Sequence, residues 1–210
     1  MNIKISSKFQ KKRDIKIVKS KIAYQGSFNI EQLYIKFRLF SGKWSKVFYR
    51  EVLHRGASIG ILLYNPKRDI VVLIKQFRVG AVRGEMDPWL VEIPAGGIEH
   101  DETEIQAIRR EVHEEVGECN IIALEPIYSY WVTPGGSSER ISLYCGYINT
   151  VPTDKICGVQ EEGEDIYVKV LKVKTAFQAM ANGKIKNSHT IIALQWLQLN
   201  LAILKKKWIK

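Results

Sequence analysis

Residues 96–117 read GGIEHDETEIQAIRREVHEEVG, and the division of this stretch into turn and helix decides the fold. The spacing predicts a helix over about 102–116, with Asp101 as N-cap, Glu104 completing a capping box and Gly117 as the stop. Glu111, Glu114 and Glu115 stand at i, i+3 and i+4, so three carboxylates share one face of that helix. Like charges so spaced repel, by roughly a few tenths of a kcal/mol per pair. Arg110 supplies one adjacent cation, which cannot neutralise three carboxylates. A divalent cation is the economical counter-charge, and carboxylate oxygens suit magnesium, which binds a few of them together with waters and substrate phosphates. The bland alternative for an isolated acidic run is a solvated helix face.

Outward from this helix the chain is rich in strands. Upstream, residues 59–64 (IGILLY) and 70–77 (IVVLIKQF) are near-continuous apolar runs split by Asn65-Pro66, and read as buried strands. WLVEIP at 89–94 is a further strand ending at Pro94. Residues 32–40 (QLYIKFRLF) alternate apolar and polar, as a half-buried strand does, and Ser41-Gly42 is a turn before β-rich sequence around 46–54. Downstream come strands over 121–131, 140–148 and 166–173, a helix over about 175–182 stopped by Gly183, and an amphipathic helix over about 190–206 with a buried Trp196–Leu204 stripe. Strands precede, separate and follow the helices, which predicts an α/β fold with a mixed sheet. The expected division is a small antiparallel β unit over residues 1–55 and a larger domain over 56–210.

Charge and cysteine usage exclude other classes. Of the net charge of +10, eight basic side chains lie in residues 1–22 against Asp14 alone, and four more lie in residues 205–210. The body between holds 20 basic and 21 acidic residues, so no basic groove is indicated and a nucleic-acid partner is not expected. Cys119, Cys145 and Cys157 are odd in number and contain no CxxC pair, which fits a reducing, cytoplasmic setting. No apolar run approaches the roughly 18 residues of a membrane span, and the basic N-terminal stretch lacks the apolar core of a secretory signal. His113 is not part of an HExxH pair, and no serine–histidine pairing is legible.

The spacing Gly96-x5-Glu102-x7-Arg110-Glu111-Val112-x-Glu114-Glu115-x-Gly117 resembles the Nudix box, the signature of the Nudix hydrolase family. Seven fixed identities at roughly 5–7% usage each make a chance match on the order of one in 10⁸ per start position. Glu118 departs from the pattern, where the family carries an aliphatic residue. Beyond the box, the N-terminal β unit, the runs GILLYNPKRDIVVLIKQFRV and PWLVEIPAGGIE, the loop 133–140 and the stretch 183–199 are similar to the bacterial ADP-ribose pyrophosphatases of that family. Pro134, 16 positions beyond Glu118, is close to the spacing of that subgroup.

The resemblance implies a Nudix-type α/β/α sandwich and magnesium-dependent hydrolysis of the ADP-ribose pyrophosphate to AMP and ribose 5-phosphate, with manganese as a possible substitute ion. It implies metal ligation by Glu111, Glu114, Glu115, Glu164 and the carbonyl of Ala95, with Glu162 of the acidic loop 160–165 as general base. Gly96 and Gly97 then allow a turn that a Cβ would obstruct. Arg110 orients the glutamates, and Glu102 serves structure near the helix start. Arg78 matches an arginine that meets the phosphates, Glu139 a further substrate contact, and Arg50 with Phe28 a cation-and-ring clamp on adenine, with Ser27 as the alternative to Phe28. The small β unit implies a homodimer that exchanges strands and completes its sites across the interface. Hydrolysis of another nucleoside diphosphate sugar such as GDP-mannose, and a non-catalytic nucleotide-sugar-binding module, stand as alternatives.

Overall fold

The computed structural model describes residues 9–84 and 87–209, and for Glu162 the backbone alone. The chain forms two compact units: one runs to Gly56 and takes in Trp131–Glu139, and the other comprises Ala57–Tyr130 and the chain from Arg140 onward.

In the first unit, β1 (Ile15–Gln25), β2 (Asn29–Phe37) and β3 (Phe48–His54) form an antiparallel sheet in that order, after the single-turn helix α1 (Lys11–Asp14). The alternation read over 32–40 belongs to a strand that starts and stops three residues earlier. Just beyond its end at Phe37, the Arg38 N–H donates to the Asp14 carbonyl at 2.9 Å, and Arg38 forms an isolated antiparallel bridge with Trp44. The Asp14 carboxylate is itself buried, and the Arg13 guanidinium first, then the Gln10 N–H (2.8 Å), hold it below the usual carboxylate range. β1 is an edge strand, and all eleven of its residues are exposed, Ile17, Val18, Ile22 and Tyr24 among them.

The second unit is built on β4 (Ala57–Asn65) and β5 (Ile70–Phe77), the two apolar runs. β6 (Trp89–Glu92) pairs with β5, and β7 (Ala95–Gly97) with β4. After helix α2 (Glu104–Val116) come β8 (Ile121–Trp131), β9 (Arg140–Ile148), β10 (Lys155–Cys157) and β11 (Ile166–Lys172), then α3 (Val173–Ala181) and α4 (Ser188–Trp208). The sheet order is β10-β11-β5-β4-β9-β8, with β4 parallel to β9 and antiparallel to β5. A mixed sheet therefore carries β4 and β5 at its centre, which explains their continuous apolar sequence: both faces are covered.

Strand periodicity divides those faces. Ile59, Ile61, Leu63, Val72 and Ile74 point to one side, where Ala107, Ile108, Val112 and Val116 of α2 close a core with Ile166 and Val168. Alternate residues point to the other side, where Trp208 of α4 lies 6.3 Å from Tyr64 and stacks on Tyr147 at 5.5 Å. Ala193, Leu194, Leu197 and Leu204 form the buried face of α4, while Leu199 and Ile203, inside the expected stripe, face solvent. No helix among the described residues is long and apolar enough to cross a membrane.

Candidate active site

Helix α2 starts two residues later than the sequence indicates. Thr103, not Asp101, is the N-cap, and its partner in the capping box is Gln106. Asp101 has φ 66° and lies in the turn before the helix. Glu104 is drawn away from capping by β9, where its carboxylate accepts from the Ser142 hydroxyl at 2.8 Å and from the Tyr144 hydroxyl. Gly117 ends the helix at φ 81°, as expected.

This start places Glu111 and Glu115 on the side of α2 that is buried, at 8% and 2% exposure, and Glu114 at its margin. The Ala95 N–H donates to Glu115 Oε2 at 2.8 Å, and Gln76 Nε2 lies 3.4 Å from Oε1. Burial, reinforced by the charges of Glu111 and Glu164, pushes the Glu115 carboxyl up to about 8 against the opposing pull of the Ala95 N–H and Arg78. Glu111 is raised for the same first reason, with Arg110 pulling down and Glu114 and Glu164 pushing up. Three acids thus load one buried locus with more negative charge than its neighbours neutralise.

Arg110 is the cation on this face. Its Nη1 donates to Glu111 at 2.7 Å and to Glu114 at 3.1 Å, its Nη2 to the Gly97 carbonyl at 2.8 Å, and Nε and Nη2 form a fork on Glu102 at 3.0 Å each. Glu102 also accepts from the Glu99 N–H at 3.0 Å, and the Arg110 fork first, with that bond, lowers its carboxyl. Arg110→Ala is expected to destabilise the fold by about 2 kcal/mol, discounted for its partial exposure, because Glu111 and Glu102 both lose their counter-charge. Urea denaturation checks this. Arg110→Lys should recover less than half of the loss, since an ammonium cannot make the fork.

Gly96 has a specific reason to be glycine: a Cβ there would stand 1.8 Å from Glu111 Oε1. Gly97 has none of that kind, since a Cβ would meet nothing within 4 Å. The expectation that both glycines avoid an obstruction holds for the first alone.

Around this face lie polar residues that the sequence reading passed over. Glu92, 3% exposed, accepts from Arg78 Nε at 2.9 Å and Nη2 at 2.7 Å. Gln76, 5% exposed, places one amide nitrogen 3.4 Å from both Glu92 and Glu115. Their signal was a charge or amide inside an apolar strand, WLVEIP and IVVLIKQF, where a solvent-facing side chain is the usual reading. Glu164 is half-buried, accepts from the Val159 N–H at 3.2 Å and is close enough to raise both Glu111 and Glu115. Glu162 falls in a single-turn helix over Gln160–Glu162, and its side chain lies outside the described residues. Among the described residues, no three acidic, histidine or cysteine side chains converge at metal-ligand spacing, and Glu111, Glu114 and Glu115 are each turned toward a protein donor.

The remaining expected substrate contacts lie in the first unit. Phe28 carries the guanidinium of Arg55 over its ring at 4.6 Å, and Arg55 pairs with Glu139 at 3.5 Å. Arg50 lies over Phe48, two residues back on the same strand face, at 4.8 Å. The register sets Asn29 opposite His54 and Leu33 opposite Arg50. Phe28 and Arg50 are therefore about 17 Å apart along the sheet, at roughly 3.3 Å per residue. Within one chain the cation over the Phe28 ring is that of Arg55.

The NUDIX domain model matches residues 54–209, the stretch that carries the α2 carboxylates, Glu92 and the 160–164 turn. The chain belongs to the Nudix family. Over 199 residues it is 40% identical to an ADP-ribose pyrophosphatase of Haemophilus influenzae, covering 93% of this chain and 91% of that one. It is 39% identical over 197 residues to an ADP-ribose pyrophosphatase of Escherichia coli strain K12, with 94% of each chain covered. A GDP-mannose pyrophosphatase of Cronobacter sakazakii is 32% identical over 188 residues, covering 89% and 96%. The Nudix fold is also that of a solved ADP compounds hydrolase, which superposes with a TM-score of 0.66 over 97% of this chain and 99% of that one at 17% identity.

Proposed function

We propose that this Nudix chain hydrolyses the pyrophosphate of ADP-ribose, adding water across one P–O–P bridge to give AMP and ribose 5-phosphate. The observation that carries the reading is the buried pair Glu111 and Glu115 at the Nudix helix, in a chain about 40% identical along nearly its whole length to ADP-ribose pyrophosphatases. GDP-mannose is the second substrate to test, supported by the 32% identical relative. A binding module without catalysis is a weaker reading, because every acidic residue of the box is present.

The donor set fits a divalent cation, and we infer magnesium. Two buried carboxylates, each raised by burial and by like charge, share a single guanidinium contact, that of Arg110 on Glu111, and their oxygens are hard donors. Glu111, Glu114, Glu115, Glu164 and the Ala95 carbonyl are the residues that would hold it. When bound, such an ion supplies neutralisation of the pyrophosphate oxygens and a lowered pKa for the attacking water. Glu162 is assigned as the base that takes the water proton, and its loop position suits a group that closes on substrate. Arg78 offers a guanidinium to the phosphates, while Arg50, Glu139 and Phe28 are assigned to the substrate's remaining parts. Displacement at phosphorus asks mainly for position and charge from the protein, which is what these residues supply.

We also infer a homodimer, supported by the fully exposed edge strand β1 and its apolar side chains. The three free cysteines fit a cytoplasmic enzyme. The test is product release from ADP-ribose, GDP-mannose, ADP-glucose and a nucleoside triphosphate, with and without magnesium. Magnesium-dependent AMP from ADP-ribose, well above the rest, is expected; preference for GDP-mannose would overturn the substrate. Glu162→Gln is expected to lower turnover at least about a hundredfold with magnesium affinity unchanged. A lost magnesium affinity would make Glu162 a ligand instead. A fully active monomer in sedimentation would remove the dimer.

A further inference from the structure

Glu92, Gln76, Asn187 and Thr190 form a polar network inside the larger unit that none of the roles above employs. Glu92 sits in β6 at 3% exposure and Thr190 in α4 at 0%. A buried carboxylate is tolerated only when donors surround it. Arg78 Nε and Nη2 and Gln76 Nε2 converge on Glu92 Oε2, at 2.9, 2.7 and 3.4 Å. The other oxygen, Oε1, accepts from Asn187 Nδ2 at 3.0 Å.

Asn187 has a second task. Its Oδ1 caps α4, accepting from the Thr190 N–H at 2.9 Å and the Thr190 hydroxyl at 3.0 Å, while Thr190 Oγ1 accepts from the Ile93 N–H at 2.9 Å. One continuous chain of hydrogen bonds therefore runs from the start of α4 to the guanidinium of Arg78. The Arg78 side chain remains 41% exposed, although that of its partner Glu92 is 4% exposed. Two of its three nitrogens are committed to Glu92, and Nη1, with no hydrogen-bond partner among the described residues, is left for a ligand.

We propose that Glu92 is a positioning residue for Arg78 and that Asn187 anchors the pair to the N-terminus of α4. The inference rests on Arg78 meeting the phosphates of the substrate. An arginine at the end of a strand has many rotamers, and a ligand that must immobilise it loses affinity. Glu92 fixes the guanidinium beforehand, so the ligand meets an oriented donor. Stability alone gives no reason for the carboxylate, because an apolar residue in WLVEIP would pack without burying a charge. Gln76 adds a second consequence. Its single amide nitrogen separates Glu92 from Glu115, so the phosphate-binding arginine and the buried Nudix glutamate are held at a fixed spacing.

A double-mutant cycle tests this. ADP-ribose affinity is measured by calorimetry in EDTA, and KM and kcat with magnesium, for wild type, Arg78→Ala, Glu92→Gln and the double variant. Each single change is expected to raise Kd and KM about tenfold with kcat altered less than about threefold, and the double variant to be no worse than Arg78→Ala. An additive, roughly hundredfold loss in the double variant overturns the proposal. So does an effect of Glu92→Gln on melting temperature alone. Asn187→Asp keeps a good N-cap but sets a second carboxylate against Glu92 Oε1, and should weaken binding about threefold or more; a wild-type Kd in this variant overturns the anchor. It also serves if Glu92→Gln does not fold. A wild type that binds ADP-ribose with a coupled cycle but does not hydrolyse it supports the positioning and removes the hydrolase reading. A wild type that does not bind ADP-ribose overturns both.

Discussion

Glu115→Gln is expected to lower turnover by about 10³-fold or more, with the folded chain no less stable than wild type when metal is absent. The two halves have one cause. Glu115 is 2% exposed, beside Glu111 and near Glu164, and burial with those charges lifts its carboxyl from 4.5 to about 8. Between those values the folded chain keeps a proton that the unfolded chain has released. Stability is therefore greatest below the lower value and falls as pH rises through the window. A neutral amide keeps an oxygen for the Ala95 N–H, removes the burial penalty and flattens this dependence. It also removes the negative charge that a divalent cation needs. Melting temperatures of the metal-free proteins should fall from pH 5 to pH 8 for wild type and fall less for the variant, which keeps only the raised Glu111, while kcat with magnesium collapses. Normal turnover in the variant would remove α2 as the metal-holding helix.

What the sequence made legible was whatever depends on neighbours in the chain. β4 and β5 declare themselves as unbroken apolar runs, because strands covered on both faces need no polar residues. The α2 carboxylates are legible because helical spacing alone puts Glu111 and Glu115 on one side. The helix start was misplaced because Glu104 is taken by Ser142 and Tyr144, 38 and 40 residues away, and no local rule anticipates that competition. Glu92 and Gln76 escaped for the same reason. Their partners Arg78, Asn187 and Glu115 arrive from just past β5, from the N-cap of α4 and from α2, and a lone acid in a strand reads as solvent-facing until they do. That Arg55 lies over the Phe28 ring was not legible either, because pairing a ring with a cation needs the strand register, and the β2–β3 register is a tertiary fact. Local periodicity located the buried acidic face of α2. It could not locate the groups that hold that charge in place.

Gly96→Ala should separate those two tasks most sharply. The new Cβ would lie 1.8, 2.1 and 2.5 Å from Glu111 Oε1, Cδ and Oε2. No heavy atoms coexist at such distances, so either β7 or the carboxylate must move. β7 is fixed by its ladder to β4, with Gly96 opposite Ile59. The carboxylate is the free end of a side chain and moves at lower cost, about 1–3 kcal/mol for an overpacked site of this kind. Leaving its position breaks the 2.7 Å bond to Arg110 and withdraws Glu111 from the buried locus it shares with Glu115. Turnover should therefore drop about a hundredfold or more, since an ångström of misplacement in a positioning group suffices for that. Gly97→Ala is the matched control: its Cβ meets nothing within 4 Å, and it should keep both stability and turnover within about twofold of wild type. Circular-dichroism melts and kcat for the two variants decide the matter. Equal losses in both would mean that the glycine pair serves backbone freedom in general. A loss confined to Gly96→Ala would assign it to the close approach of Glu111.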